Sequence, residues 1–464
     1  MGVLGGSLIG LLLAGTPIGI ALMAATVLIV YVDPIMSPNA LFRAFFSFVN
    51  KYTLMAIPFF IYAGFLMEKT GLISKLFKLA DALVGWVPGG FAYATLITSV
   101  LFGAISGSST AMAAAMGVIA YPEMIRRGYP VWMAAGIIAC GGGIAILIPP
   151  SITLILYGII TEESIVALFM AGVVPGLMLA CSDATIILSM SFFMKLPSGT
   201  FSLKGLGAAI LESWPALLMP VVILGGLYGG LFTPTEAGAA ASGYALAYGF
   251  ISRRGAFLKE LMPTTVRAIN LTSIVYFLLG CVGVFQFLLA NKGWPQDVAE
   301  WVLAQGFSEL GFLSVLLILL LLLSMFLTGV AILVLTVPIF FPVALALGVD
   351  PIHLGILTAL AIEMGGVIPP VGLNLFAVSG VTGVPVTRVM RGSFPFLCTD
   401  SIVIIGTMVA VTRRKTSIWK LGKTTNGTIR GRRIIFRCNA SWNGAHEYYR
   451  RYSDCFLTTP LVVS

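Results

Sequence analysis

Four short stretches place small, hydroxyl-bearing or helix-breaking residues inside otherwise apolar sequence. The first is Gly103-Ala104-Ile105-Ser106-Gly107-Ser108-Ser109-Thr110, and the second is Gly141-Gly142-Gly143 followed by Pro149-Pro150-Ser151. The third is Phe326-Leu327-Thr328-Gly329, and the fourth joins Gly365-Gly366, Pro369-Pro370 and Gly372-Leu373-Asn374. Small residues let a backbone approach an ion, and hydroxyls and freed carbonyls are hard oxygen ligands. Proline removes an amide donor and frees the carbonyl one turn back. Half-helix N-termini favour anions, whereas unwound carbonyls favour cations. The combination suits an organic anion moved together with sodium. Gly, Ser and Thr also serve close helix packing in membranes. Two symmetry-related breaks, each beside a hairpin, favour the ion-site reading.

Bond-making chemistry has little to work with. His353 is the only histidine before residue 412, the lysines lie in polar connections, and no metal-ligand spacing occurs. Cys140, Cys181, Cys281 and Cys398 sit in apolar segments, where cysteine serves as a small buried hydrophobe. An intramembrane protease would need a buried Ser–Lys or Asp pair, or a metal-binding histidine motif. The expectation is therefore no enzyme, and no cofactor beyond sodium as coupling ion. Charges within apolar segments are functional candidates by default. Glu363, two residues before Gly365, is the best of them, with a hydrogen-bonded brace for the break as the alternative. Asp183 and Asp400 are weaker because each could lie near a helix end. Glu236, in Thr233-Pro234-Thr235-Glu236, reads as a capped helix start, and His353 reads as part of an outside loop.

The elements that must hold these residues are membrane helices. Of 464 residues, 58% are hydrophobic and 10% charged, against about a quarter charged in soluble domains. Apolar runs at Gly2–Tyr31, Ile165–Met194, Leu310–Phe341 and Phe394–Val411 reach or approach the roughly 20 residues that cross a bilayer. About a dozen membrane elements fit this length. Leu8–Val30 is too long for the apolar core of a signal peptide and lacks a basic start, so it reads as the first spanning helix. Residues 1–411 hold 16 basic and 16 acidic residues, so the net +9 resides wholly in residues 412–464. That tail has lost the hydropathy of what precedes it and reads as a non-functional extension or frame-shifted terminus; nucleic-acid binding is not expected.

Sliding the chain by 220 residues aligns Ile119 and Pro122 with Ile339 and Pro342, and Gly128 with Gly348. The same offset aligns Ile148-Pro149-Pro150 with Ile368-Pro369-Pro370, and Pro175 with Pro395. Upstream, Ser106-Gly107 meets Thr328-Gly329 if two residues are dropped. Weak internal symmetry of this kind marks secondary transporters. Loop charges make the second copy inverted, because Lys/Arg excess marks cytoplasmic loops. Lys69, Lys75 and Lys78 precede the first hairpin and Arg126-Arg127 follow it, while Glu162-Glu163 lie outside. In the second copy Asp297, Glu300 and Glu309 precede the hairpin, and Arg388 and Arg391 replace the outside glutamates. Arg43 and Lys51 disagree, since this scheme puts them outside. The organisation reads as residues 1–195, the first repeat, with hairpin 90–120 and broken helix 131–161. Connecting helices over 196–263 follow, then a second repeat over 264–411, with hairpin 323–347 and broken helix 353–382, and the basic tail over 412–464.

Over residues 1–411 the chain resembles the large membrane subunit of TRAP (tripartite ATP-independent periplasmic) transporters. The resemblance rests on Ala56-Ile57-Pro58, Gly107-Ser108-Ser109-Thr110-Ala111, Pro122-Glu123-Met124 through Arg127-Gly128-Tyr129, and Ile148-Pro149-Pro150-Ser151. Phe232-Thr233-Pro234-Thr235-Glu236-Ala237 and Pro369-Pro370-Val371-Gly372-Leu373-Asn374 complete it. It implies an all-α polytopic membrane protein, an inverted-repeat elevator-type transporter with two re-entrant helical hairpins and two broken helices. It further implies sodium-driven import of an organic anion, such as a dicarboxylate or sialic acid, across the inner (cytoplasmic) membrane of a bacterium or archaeon. The implied partners are a small four-helix membrane subunit and a periplasmic substrate-binding protein. One implied sodium site uses Ser106, Ser108 and Ser109 with backbone near Ala145, Ile148 and Pro150. The other uses Thr328 and Gly329 with Gly365, Ile368 and Val371. Thr110, Gly142, Gly143, Ser151, Glu363, Gly372 and Asn374 are candidates for the substrate cavity. The family usually carries Asp where this chain has Thr328 and Thr where it has Ile368, so two side-chain oxygens are missing near the second sodium site. Divalent anion/sodium symporters share the elevator logic, but their Ser-Asn-Thr tips are absent here. A channel remains an alternative, against which the inverted broken helices speak.

Overall fold

A computed structural model describes residues 2–32, 38–369 and 372–424. Side chains are described up to residue 410, apart from those of residues 2–5, 9, 32, 38, 104–106 and 254. The Ser106 side chain, Pro370, Val371 and residues 425–464 of the basic tail thus lie outside the described residues. All regular structure among the described residues is helical. The helices are α1 (Gly2–Leu13), α2 (Ile18–Val32), α3 (Pro38–Val49), α4 (Ala56–Thr70), α5 (Leu72–Val84), α6 (Gly90–Ser106) and α7 (Ser109–Ile119). Next come α8 (Tyr121–Arg126), α9 (Val131–Ile144), α10 (Ile152–Thr161), α11 (Ile165–Met194), α12 (Leu203–Tyr228) and α13 (Pro234–Lys292). The chain continues through α14 (Trp294–Ala304), α15 (Glu309–Ser324), α16 (Gly329–Ala346), α17 (Pro351–Gly365), α18 (Leu373–Thr382) and α19 (Val386–Thr424).

Five helical stretches are long and apolar enough to cross a membrane, and the bent pair Asn39–Val49 and Tyr52–Thr70, at 55°, makes a sixth. Exposed Tyr31, Phe192, Phe193, Leu211 and Ile251 put large apolar side chains on the outer surface of the bundle, which hydrocarbon tolerates better than water does.

Helix starts follow the capping chemistry of the sequence. Thr233 and Glu236 form a reciprocal capping box at the start of α13, as their spacing predicts. Asp350 caps α17, accepting from the amides of Ile352 and His353 at 3.0 Å. His353 is therefore inside a helix and fully buried, not in an outside loop; the Asp-Pro start draws it into the first turn. The expected single helix over Leu8–Val30 is two helices, α1 and α2. Gly15 adopts a left-handed conformation (φ 78°) and Pro17 lacks an amide donor, so the helical hydrogen bonds stop there although the apolar run does not. Asp183 and Asp400 lie in the interiors of α11 and α19, both buried, rather than at helix ends. The helix α13 runs across residue 263 and bends sharply near Arg253. Gly249 and Phe257 would be about 12 Å apart along a straight axis, yet the Phe257 ring fills the space where Gly249 would carry a Cβ.

Helix starts recur at the 220-residue offset. Ser109 and Gly329 open α7 and α16, and Val131 and Pro351 open α9 and α17, both pairs 220 residues apart. Ile152 and Leu373 open α10 and α18 one residue further out of phase. Equivalent to α6–α7 is α15–α16, so the second pair begins at Glu309 rather than at residue 323; the unbroken apolar run hides its first arm. The offset puts the helix cap Ser108 opposite the cap Thr328, with no residues dropped at that point.

Two groups of helices result. The helices α2, α3 and α4 pack along α13, whereas α9, α11, α17 and α19 pack on one another and carry α6, α7 and α18. Within the second group α9 and α19 touch backbone to backbone at Gly136 and Gly392. Lys51, before α4, reaches Glu162, at the end of α10, at 2.7 Å. Lys51 is one of the two cations that the loop-charge reading puts outside, and it meets Glu162, which the same reading puts there.

Candidate functional site

The four sequence breaks converge. A cavity of about 320 Å³ is lined by Ser109 and Thr110 of α7, Ile152 and Thr153 of α10, Gly329 and Val330 of α16, and Leu373 and Asn374 of α18. These are the first residues of four half-helices, two from each repeat, and the first turn of a helix carries amides without intrahelical partners. The opposite half-helix ends contribute Gly107, Ile146, Ser324, Leu327 and Gly366, and Ile61, Leu271, Ile274, Val275 and Leu278 close the wall from α4 and α13. Among the described residues, no charged side chain lines the cavity. Four helix starts bring unpartnered amides and partial positive charge to it, and the opposing half-helix ends bring carbonyls and partial negative charge. The cavity thus offers donors to an anion and oxygens to a cation side by side. Such a site holds an anion without a cationic side chain.

The caps differ in how they use their hydroxyls. Thr328 accepts from the Ala331 amide at 3.4 Å, and Ser151 accepts from the Leu154 amide at 3.3 Å. Ser108 caps α7 without spending its side chain on a capping bond. Ser108 is one of the residues that line the cavity.

The residues of the first expected cation site come together. A Cβ built on Gly107 would lie 2.8 Å from the Pro150 carbonyl oxygen, and one on Gly103 would lie 2.5 Å from Ala145 Cα. The first hairpin tip thus sits on the break that follows α9. Ile148 turns its side chain toward Gly176 of α11. At the second tip Gly329 abuts Ile362, and Ile368 closes the end of α17 through amide bonds to Met364 and Gly365. Gly365 leaves the space that Ser324 Oγ occupies. Ser324 is a hydroxyl at the second break that sequence reasoning passed over. It ends α15 as Ser106 ends α6, and that parallel is the signal that could have found it.

Of the cavity candidates, Thr110 and Asn374 line it. The Asn374 amide nitrogen donates to Ala139 O at 3.4 Å, which ties α18 to α9. The others stand behind the wall. Gly142 lets Ser109 O and Asn374 approach, Gly143 makes room for the Glu363 carboxylate, and Ser151 and Glu363 are buried. Gly372, at φ 48°, starts α18. Glu363 therefore bridges the break of one repeat to the break of the other and does not face the cavity. A larger cleft, about 680 Å³, lies between α5, the start of α6 and α12. Its charges are already paired, Lys78 with Glu212 at 3.0 Å and Arg127 with Asp81 at 2.8 Å.

Residues 6–412 match the family described as tripartite ATP-independent periplasmic transporter, DctM component. The chain is 41% identical over 353 residues to the C4-dicarboxylate TRAP transporter large permease protein DctM of Pseudomonas aeruginosa, covering 76% of this chain and 83% of that one. It is 34% identical to the sialic acid TRAP transporter large permease protein SiaM of Vibrio cholerae, covering 85% and 93%. Among solved structures, the YdaH transporter of Alcanivorax borkumensis shares the fold at 13% identity, with a TM-score of 0.59 over 87% of this chain and 98% of that one.

Proposed function

Because the chain belongs to the DctM family of tripartite ATP-independent periplasmic transporters, we propose that it is the translocating subunit of a sodium-coupled importer of an organic anion. The chain is a membrane transporter component and not an enzyme. The observation that carries the reading is the convergence of four half-helix starts, two from each repeat, on one uncharged cavity. The substrate is a carboxylate such as a dicarboxylate or sialic acid, the anions in the names of two relatives. Sodium binds beside it, at Ser106, Ser108 and Ser109 with the backbone near Ala145, Ile148 and Pro150. A second ion takes the tip at Thr328 and Gly329 with Gly365, Ile368 and Val371, where Ser324 supplies an oxygen in place of those the sequence lacks. The hairpins are re-entrant, and the group built on α9, α11, α17 and α19 moves as an elevator against the α4–α13 scaffold. A periplasmic binding protein delivers substrate, a small four-helix subunit braces the scaffold, and the assembly sits in the inner membrane.

Reconstitution tests the reading. Vesicles holding both membrane subunits and supplied with the binding protein should take up the anion down a sodium gradient and ignore ATP. Uptake that persists without sodium or without the binding protein sinks it.

A further inference from the structure

A second cavity, about 420 Å³, adjoins the central one. The two share Ile61, Ser108, Thr110, Ile152 and Leu271 as lining residues. Unlike the central cavity, this one carries charge, and its charged lining residues are Glu68 of α4 and Arg267 of α13. The Arg267 guanidinium lies over the Phe65 ring, 4.4 Å from its centroid. Stacking holds the plane of the group and leaves its edges, where the N–H donors are, open to other partners.

The pairing between these two residues is slack. Arg267 Nη1 stands 3.5 Å from Glu68 Oε2, and Lys69 competes for Glu68 from 3.8 Å. A charge-assisted bond in good geometry is about 2.7–2.9 Å long, and guanidinium prefers to meet a carboxylate at two points. Arg127 of the same chain shows the satisfied arrangement. It donates to both Asp81 oxygens at 3.0 and 2.8 Å and to Glu123 at 2.9 Å, and its side chain is 33% exposed. The Arg267 side chain is 54% exposed and lines the cavity, and Glu68 engages it at one nitrogen only.

We propose that Arg267 is the residue that takes the substrate's carboxylate at the mouth of the central cavity, with Glu68 as the occupant that the carboxylate displaces. The proposal rests on the organic-anion reading of the central cavity. An arriving carboxylate brings two oxygens to a fork that Glu68 engages with one. The displaced Glu68 keeps Lys69 as a neighbour, so the exchange strands no charge. Between Arg267 and the half-helix starts the anion passes Ser108 and Thr110, which line both cavities. Glu68 works as a built-in competitor: it weakens capture at the mouth and hastens release from it.

The roles are opposite, and that makes them separable from a brace. In vesicles with the full assembly, Arg267→Gln should raise KM for the anion about tenfold, the worth of one charge-assisted contact, with a smaller change in kcat. Arg267→Lys should recover part of the loss. Glu68→Gln removes the competitor while keeping volume, and should lower KM several-fold at unchanged sodium dependence. A merely structural ion pair would move both variants the same way. The inference is overturned if Glu68→Gln and Arg267→Gln shift KM in the same direction, or if neither shifts it. Should Arg267→Gln fail to insert, Glu68→Gln and Arg267→Lys decide by the same rule. Failure of the wild-type protein to carry any organic anion would sink the proposed function instead, and is read separately.

Discussion

Ser108 and Thr328 stand at equivalent helix starts 220 residues apart, yet their hydroxyls have different duties. Thr328 Oγ1 is engaged with the Ala331 amide, whereas the Ser108 side chain makes no capping bond and lines the cavity. A hydroxyl unclaimed by the backbone can coordinate an ion at no structural cost. The double variant Ser108→Ala, Ser109→Ala should therefore raise the sodium concentration for half-maximal uptake several-fold, with little loss of folded protein. Ser324→Ala should do the same through the second tip, because Ser324 Oγ donates its proton to Leu321 O at 2.8 Å and keeps its lone pairs for an ion. Sodium titrations of uptake read both, and unchanged curves would return these serines to helix packing. Ser108 and Ser109 were legible because a Gly-Ser-Ser-Thr run is conspicuous in apolar sequence. Ser324 was not, because it is one polar residue closing a leucine-rich stretch, and only the parallel between the ends of α6 and α15 exposes it. Glu363 was legible as a buried charge, but no sequence pattern could reveal that its carboxylate faces Gly143 rather than the cavity.

At the scale of elements, breaks were easier to read than the surfaces that pack. Proline and glycine mark the ends of α9, α10, α17 and α18 because they change the backbone itself. The interruption between α1 and α2 carries the same signal, Gly15-Thr16-Pro17, but hydropathy runs straight across it and masks it. Helix contacts leave a fainter trace. Gly136 and Gly392 let α9 and α19 approach until a Cβ on Gly136 would collide with the Gly392 carbonyl group. Backbone cannot swing aside as a side chain can, so Gly136→Ala forces the helices apart. Overpacking of this kind costs about 1–3 kcal/mol, and the detergent-solubilised protein should show a lower melting temperature. Gly207 of α12 has open space where a Cβ would go, and Gly207→Ala should leave stability equal or slightly higher, as alanine favours helix. Equal melting of the two variants would show that α9 and α19 are not in close contact.

For the whole molecule, the constant offset between helix starts was legible, because matching residues recur along the sequence. The convergence of the four breaks on one cavity was not, because it depends on packing between distant helices. The contact of Lys51 with Glu162 was not legible either, since 111 residues separate them and each alone looks like a surface charge. The pair joins the scaffold group to the end of α10, and the Lys51 ammonium holds the Glu162 carboxyl below its usual range through a direct hydrogen bond. An exposed pair of this sort is worth at most about 1 kcal/mol, weak enough to part in each cycle of the elevator movement proposed above. Joining the positions with a short bifunctional thiol reagent in Lys51→Cys, Glu162→Cys should arrest uptake, while the same reagent on wild type, which has its own exposed Cys181 and Cys398, should not. Continued transport by the joined protein would mean that the two groups do not separate there. The absence of any ionisable side chain from the central cavity lining among the described residues has a consequence for the proton inventory of binding. A receptor built from peptide dipoles has nothing to protonate. Binding of a fully ionised anion should then neither take up nor release protons between about pH 6.5 and 8.5. Calorimetric binding enthalpies measured in buffers of different ionisation enthalpy should coincide; a buffer-dependent enthalpy would point to a titrating group behind the wall, and Glu363 is the first to replace.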